Sequence, residues 1–69
     1  MKFDYCNLRA EMARQKVRVA DLAQKTGISI STISTKMARG NGFSCDQAWR
    51  IAQVLSLTDI DPYFFKVEL

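Results

Sequence analysis

The sequence predicts an all-α fold, and three observations support this. Apolar residues recur at intervals of three and four along most of the 69 residues, which is the spacing of one helix face. Gly27, Ser44 and Pro62 stand where these stretches begin or end, as helix-starting and helix-ending residues do. Strand-like alternation is confined to residues 28–30 and the last five residues, which is too little for a sheet. We therefore expect five helices in a single domain spanning residues 1–69.

The first two helices are marked by their apolar stripes. Asp4 is expected to cap the first helix, which should run to about Gln15. A short basic connection follows at residues 16–18. Gly27 is expected to end the second helix, because glycine adopts the left-handed conformation without strain. The stripe of the first helix is Tyr5, Leu8 and Met12, and that of the second is Val19, Leu22, Ala23 and Thr26.

The residues of the third helix fit two patterns, one of a strand and one of a helix. Ile28 and Ile30 alternate with polar residues as in a half-buried strand, whereas Ile33 and Met37 stand four apart as on a helix. We favour a helix over residues 30–39, because two short amphipathic helices joined by a glycine-containing turn form a helix-turn-helix. Ile28 is then expected to pack in the turn. Ile30 is expected at the start of the helix, either half-buried or exposed.

The last two helices begin at recognisable starting signals. After a loop at residues 41–43, Ser44 and Gln47 form a capping box. The buried stripe of this fourth helix is Ala48, Ile51, Ala52 and Leu55, with Trp49 half-buried at its edge. A short fifth helix should begin near Asp59 with Pro62 in its first turn. Its aromatic residues, Tyr63, Phe64 and Phe65, are expected to pack in the core, and residues 66–69 to form a brief strand or a frayed tail.

Charge and cysteine content restrict the class of function. The net charge is +3 and is uneven: residues 1–50 hold nine Lys/Arg and four Asp/Glu, a net +5, whereas residues 51–69 hold one Lys and three acids, a net −2. The basic part is suited to a polyanionic partner. Cys6 and Cys45 are too few for a disulfide framework, and no histidine is present for a zinc site. We expect both to be partly buried free thiols.

Other classes of protein are disfavoured by what the sequence lacks. It has no histidine, no glycine-rich phosphate loop before a helix and no nucleophile beside a base, so we expect neither an enzyme nor a cofactor or metal site. No signal peptide and no apolar run long enough to span a membrane is visible, which favours a cytoplasmic protein without a membrane partner.

Residues 20–34 carry a resemblance to a known family. The segment ADLAQKTGISISTIS resembles the helix-turn-helix of the Cro/CI (Xre-type) repressor family. Ala23 matches the small residue that lets two helices approach, Gly27 the turn glycine, and Ile33 the buried aliphatic residue. The segments FDYCNLR and DPYFF are similar to small Cro-like regulators of temperate phages and prophages of Gram-positive bacteria. The resemblance covers nearly the whole chain. It implies a five-helix lambda-repressor-like DNA-binding domain whose motif, about residues 19–39, consists of helices two and three.

The resemblance also implies which residues contact DNA. In this family the second helix of the motif enters the major groove with its N-terminal half against the bases. By position, the base-reading residues are Ser29, Ile30, Ser31, Thr32 and Thr35. The phosphate-contacting residues are Arg18, Val19, Lys36, Arg39 and Asn41, with backbone N–H groups at the start of helix two contributing. Hydroxyls bond to several bases and specify weakly, whereas an isoleucine can contact a thymine methyl.

The chain departs from the family pattern on the reading face. Arg18 and Val19 stand where many members have a Ser or Thr cap followed by Gln, and Ile30 stands where many have a second Gln. Lys36 occupies a position that is often apolar. Val19 and Ile30 could instead contact each other and form an apolar rim.

The function implied is a Cro-like transcriptional repressor of a phage or prophage switch. It would bind double-stranded operator DNA as a homodimer in the bacterial cytoplasm, with residues 59–69 as the expected interface between subunits. Two alternatives stay open. The apolar Val19 and Ile30 suit a modulator that binds a phage repressor protein, and an antitoxin-like regulator fits the same fold.

Overall fold

The computed structural model describes residues 2–68 and confirms the all-α prediction. The helices are α1 Cys6–Gln15, α2 Val19–Thr26, α3 Ile30–Arg39, α4 Cys45–Val54 and α5 Asp61–Phe64. Together they form a body of 30 × 23 × 21 Å. Among residues 2–68 the only extended pairing is an isolated antiparallel bridge between Phe3 and Val67. The expected tail strand is therefore reduced to this bridge, and Leu69 lies outside the described residues.

Helix α1 begins one residue later than the capping prediction required. Tyr5, and not Asp4, is the N-cap residue, and its side chain makes no capping hydrogen bond. The Asp4 carboxylate nevertheless accepts the Cys6 N–H at 2.8 Å, which satisfies one of the helix's unpaired donors from one position further out. At the other end Lys16 adopts the left-handed conformation at φ 58°, and its N–H donates to Ala13.

The turn between α2 and α3 is built by four consecutive residues. Thr26 is buried; its hydroxyl donates to the Leu22 carbonyl at 2.6 Å and accepts the Ile28 N–H at 3.2 Å. Gly27 follows with φ 78° and ends α2 as expected. Ile28 is buried in the turn, and Ser29 then caps α3 by accepting the Thr32 N–H at 3.1 Å. The helix-turn-helix predicted for residues 19–39 is thus present.

Helices α2 and α3 hold the motif against the rest of the core. Ile33 is fully buried and Met37 nearly so, and both lie on the inner face of α3. The apolar positions predicted for all five helices contribute to one core cluster. Its fully buried larger members are Leu8, Leu22, Ile33, Ile51, Leu55 and Phe64. Because α3 has only two core positions, most of its remaining surface faces outward.

Aromatic side chains join the loop after α3 to α5. Phe43 contacts Tyr5 edge to face at a centroid distance of 5.6 Å, and Phe64 in the same manner at 5.7 Å. The capping box of Ser44 and Gln47 is present as predicted, with both hydrogen bonds at 3.1 Å. Trp49 is half-exposed at 45 %, as expected from its position at the edge of the stripe.

The two cysteines are exposed, so the prediction that they are partly buried is wrong. Each occupies the first position of a helix, Cys6 in α1 and Cys45 in α4. Cys6 is one residue past the buried Tyr5, which turns it away from the stripe. Cys45 has the angular position of the stripe on α4, but the buried part of that helix begins only at Ala48.

The two ends of the described chain pair with each other. The N-terminal segment (residues 2–5) and the tail (residues 66–68) form two backbone hydrogen bonds, Asp4 N–H to Lys66 O at 2.7 Å and Glu68 N–H to Lys2 O at 2.8 Å. The ring of Phe3 contacts that of Phe65 edge to face at 5.8 Å. The tail therefore fastens the N-terminal segment to the body of the protein.

Candidate nucleic-acid interface

Three of the five residues predicted to read bases lie together on the outer face of α3. Ser31, Thr32 and Thr35 line one shallow surface depression of about 310 Å³. Lys36 and Asn41, both predicted to contact phosphate, line the same depression. Ser31 and Thr35 are exposed, whereas Thr32 is half-buried. The small side chains leave this face open to the close approach of a flat ligand surface.

Ser29 and Thr32 form hydrogen bonds with each other, which occupies part of their bonding capacity. The Ser29 hydroxyl donates to Thr32 Oγ1 at 2.7 Å and also accepts the Thr32 N–H. Ser29 therefore serves the start of α3 as its cap, and its capacity to bond a base is reduced. The Thr32 hydroxyl proton remains available to a partner.

Ile30 is the exposed apolar residue of the reading face. It is 50 % exposed at the first position of α3. Val19, the other residue of the alternative apolar rim, is half-buried and packs against the core cluster. The apolar surface available to a ligand at this end of α3 is therefore mainly that of Ile30.

The start of α2 presents backbone donors. Arg18 is its N-cap residue and is exposed, and Arg side chains have no acceptor with which to cap a helix. The Arg18 N–H itself donates to the Asp21 carboxylate at 3.0 Å, so it is not among the free donors. No hydrogen bond from a side chain to the first-turn N–H groups of α2 is found within residues 2–68, so those donors have no partner within the helix.

The cations at the end of α3 are placed on different sides. Lys36 turns toward the following loop, where its Nζ donates to Gly42 O at 2.9 Å and lies 5.9 Å from the centroid of Phe43. Arg39 is exposed and borders a second depression, of about 530 Å³, together with Lys2 and Arg9. Lys36 thus lies beside Ser31, Thr32 and Thr35, whereas Arg39 borders the second depression.

Three contacts that hold the C-terminal end of α3 were not predicted from the sequence. Arg9 Nη2 donates to Met37 O at 3.1 Å, the Phe3 N–H donates to Gly40 O at 2.9 Å, and the Tyr5 hydroxyl donates to Asn41 O. Each joins residues at least 28 positions apart, so no local pattern reveals it. Burial raises the pKa of the Tyr5 hydroxyl, which a backbone hydrogen bond with Phe43 only partly opposes.

The electrostatics of the motif favour an anion. Residues 18–41 hold four Lys/Arg and one Asp, a net +3, and α3 contains no acidic residue. The one carboxylate, Asp21, is engaged at the start of α2. No group of three potential metal ligands occurs among residues 2–68. Nor does this part of the chain include a helix with the length and apolarity needed to cross a membrane.

Comparison with known proteins identifies the family. A family model described as a Cro/C1-type HTH DNA-binding domain matches residues 7–61, which includes all of α2, α3 and α4. No significant match is found among curated proteins or among solved structures. Because the family match covers most of the chain and coincides with the observed helix-turn-helix, the protein belongs to the Cro/C1-type helix-turn-helix DNA-binding family.

Proposed function

We propose that this protein is a sequence-specific transcriptional repressor that inserts α3 into the major groove of operator DNA. The observation that carries the proposal is the grouping of Ser31, Thr32 and Thr35 with Lys36 and Asn41 around one depression on the outer face of α3. A helix with short side chains on its outer face can lie deep in a groove that is about 12 Å wide. We infer binding, and not catalysis, as the role of this face.

Base reading and backbone contact are divided between different groups in this proposal. The hydroxyls of Ser31 and Thr35 bond to base edges, and the exposed Ile30 contacts a thymine methyl. The free N–H groups at the start of α2 face a phosphate, with Arg18 beside them. Arg39 and Asn41 contact the backbone at the other end of α3. Phosphate contacts supply affinity and register, whereas the base contacts supply specificity.

We further propose that two copies bind a pair of half-sites about one helical turn apart. One domain of this size covers little DNA, so a homodimer increases both affinity and specificity. Residues 59–69 remain our candidate interface. Its aromatic residues are largely used internally, because Phe64 is buried and Phe65 packs on Phe3. The surface left for a second copy is the exposed part, which among residues 59–68 includes Val67, a large apolar residue that is 39 % exposed.

The biological setting that fits this proposal is a phage or prophage switch in the cytoplasm of a bacterial host. It rests on the resemblance of residues 3–9 and 61–65 to small Cro-like regulators. The role can be examined by placing a reporter behind the promoter nearest the gene and expressing the protein in trans. Lower reporter output is expected for a repressor, whereas unchanged output contradicts this role.

The decisive experiment is a binding titration with DNA selected from a randomised pool. We expect the wild-type protein to enrich a two-fold symmetric sequence. On that DNA, log affinity should fall linearly with log salt concentration, by about 0.9 for each phosphate neutralised. Ser31→Ala and Thr35→Ala should each weaken binding to the selected site by roughly five- to a hundredfold, which corresponds to about 1–3 kcal/mol for a base contact.

The matched control is Ser34→Ala. Ser34 is exposed on the same helix but does not border the depression, so Ser34→Ala makes the same chemical change as Ser31→Ala without loss of a reading group. Its affinity for the selected site should stay close to that of the wild type. Equal losses in all three variants indicate that the assigned face is incorrect. Failure to enrich any sequence contradicts the proposed function.

A second candidate function is favoured by Ile30 alone. An isoleucine that is half-exposed on the expected reading face also suits a protein partner, such as a phage repressor. In that case the protein should co-elute with the partner repressor, and Ile30→Ser should abolish this association. If Ile30→Ser instead changes the preference for thymine at one position of the selected DNA, the contact is with a base.

A further inference from the structure

The C-terminal end of α3 is held by groups from the beginning of the chain. We call these groups the brace: the N-terminal segment, residues 2–5, together with Arg9. The Arg9 guanidinium donates to Met37 O at 3.1 Å, and the Phe3 N–H donates to Gly40 O at 2.9 Å. The last carbonyls of a helix have no partner within the helix, and a cation near them also interacts favourably with the helix dipole. The brace therefore satisfies the end of α3 from outside the motif.

The approach of the brace to α3 is close. A Cβ atom at Gly40 would lie 2.9 Å from Lys2 Cβ and 3.0 Å from Phe3 O. Gly40 also has φ 72°, so glycine is required there both for its conformation and for lack of space. At Gly42 a Cβ atom would lie 2.9 Å from Cε2 of Phe3. The brace thus rests directly against the backbone that follows α3.

The two ends of α3 are fixed by different parts of the molecule. Its beginning is set by the turn after α2, through the hydroxyl of Thr26 and the Ser29 cap. At its end the brace adds hydrogen bonds from outside the motif to those that Lys36 makes with the following loop, while Ile33 and Met37 are the buried residues of the helix. Removing the brace would leave the end of α3 free to shift and rotate about these two residues.

The reading residues make DNA binding sensitive to such a shift. Serine and threonine hydroxyls are close to the backbone and have one rotatable bond that moves the oxygen, so they cannot compensate for a displaced helix as a glutamine or arginine can. Hydrogen bonds weaken steeply once distance and angle depart from their preferred values. A face of short hydroxyls consequently depends on the placement of its backbone.

We propose that Arg9 and Tyr5 are positioning residues for DNA reading, acting through the C-terminal end of α3. Arg9 holds Met37 O, and the Tyr5 hydroxyl holds Asn41 O, next to the depression that Asn41 lines. This inference rests on the proposed function. The competing role for Arg9 is direct contact with a phosphate, since it borders the depression shared with Lys2 and Arg39.

The test compares Arg9→Met with Arg14→Met. Both residues are exposed arginines of α1, so each variant loses one positive charge from the same helix, but the side chain of Arg14 pairs with Glu11 within α1. We expect Arg9→Met to bind the selected site about tenfold more weakly than Arg14→Met. The two variants should have equal affinity for unrelated DNA and an equal slope of log affinity against log salt concentration, because neither loses a phosphate contact.

Either of two binding results for Arg9→Met overturns the proposal. If the slope of log affinity against log salt is smaller in magnitude for Arg9→Met than for Arg14→Met, by about 0.9 for each bound copy, Arg9 contacts a phosphate directly. If Arg9→Met lowers the melting temperature but binds the selected site as well as Arg14→Met does at low temperature, its role is only in stability. Should Arg9→Met fail to fold, Tyr5→Phe carries the test, since it keeps the ring and removes only the hydroxyl; binding equal to wild type then overturns the proposal.

Amide hydrogen exchange on the free protein separates this inference from the proposed function. The N–H groups of Gly40 and Asn41 both donate to Lys36 O at the end of α3. Both should exchange several-fold faster in Arg9→Met than in Arg14→Met. Unchanged exchange overturns the positioning role even if the wild type binds DNA. Faster exchange in a protein that selects no DNA sequence supports the brace while contradicting the proposed function.

Discussion

Tyr5 combines three roles in one residue. Its ring is buried against Phe43, its hydroxyl donates to Asn41 O, and its backbone position is the N-cap of α1. The sequence predicted only the burial, because the apolar stripe at residues 5, 8 and 12 is a local pattern. The hydrogen bond joins residues 36 positions apart and could not be inferred from spacing.

The first prediction concerns the pH dependence that Tyr5 produces. Burial holds the pKa of its hydroxyl above the ordinary value, so the folded protein keeps a proton that the unfolded chain releases near pH 10. The contribution of Tyr5 to stability is therefore complete below about pH 10 and is lost as pH rises through the folded pKa. Urea unfolding at closely spaced pH values should show a shallower alkaline loss in Tyr5→Phe than in the wild type. If stability falls equally steeply with rising pH in the two proteins, ionisation of Tyr5 does not contribute to the alkaline loss of stability.

The second prediction compares two isoleucines on α3. Ile33 is fully buried, so Ile33→Ala should lower the free energy of unfolding by about 2–5 kcal/mol. Ile30 is half-exposed, and Ile30→Ala should change it by less than about 1 kcal/mol. Denaturant unfolding of the two variants measures the difference. A similar cost for both contradicts the assignment of the inner and outer faces of α3.

The burial of a side chain could be predicted from the sequence where it depends only on the position of the residue around its helix. Ile33 and Met37 are inside, and Ser31 and Thr35 outside, because positions two apart on a helix face in different directions. Lys36 shows the limit of this argument. Its position on the helix is clear from the sequence, but its hydrogen bond to Gly42 depends on the path of a loop that period does not determine.

At the scale of elements, helix ends carry most of the local information. Gly27 and Ser44 mark true boundaries, since each satisfies orphan backbone groups or takes a conformation that few residues adopt. The end of α1 is different, because Lys16 takes the left-handed conformation without being glycine. A lysine there gives no signal in the sequence, although α1 does end where its stripe predicts.

The third prediction uses Lys16. A left-handed conformation costs a residue with a Cβ atom roughly 1 kcal/mol, so Lys16→Gly should stabilise the protein by about 0.5–1 kcal/mol. Lys25 is an exposed lysine in the last turn of α2, where the same substitution should destabilise by up to about 1 kcal/mol. Thermal and urea unfolding should give opposite signs for the two variants. A loss of stability in Lys16→Gly would mean that its side chain is important at this helix end.

At the scale of the whole molecule, contacts between distant parts of the chain account for the features that helix periodicity could not predict. The aromatic residues near the end of the chain were expected to be in the core, and Phe64 is. The same packing removes surface from the segment proposed for dimerisation, which sequence alone could not reveal. The contacts of the N-terminal segment with the end of α3 were not predicted from the sequence, because its partners, Gly40, Asn41 and the tail, are distant along the chain.

The bridge between Phe3 and Val67 has a consequence for the order of folding. Forming the bridge closes a loop of more than sixty residues, which costs more conformational entropy than pairing the helices of the motif. The bridge itself adds few stabilising contacts in return. We expect it to form after the transition state, so that weakening it accelerates unfolding and leaves the folding rate nearly unchanged. Glu68→Pro removes the N–H that donates to Lys2 O, whereas Glu68→Ala keeps it. Stopped-flow kinetics should show faster unfolding only in the proline variant. If the proline variant instead folds more slowly, the bridge is already formed in the transition state, which contradicts the prediction.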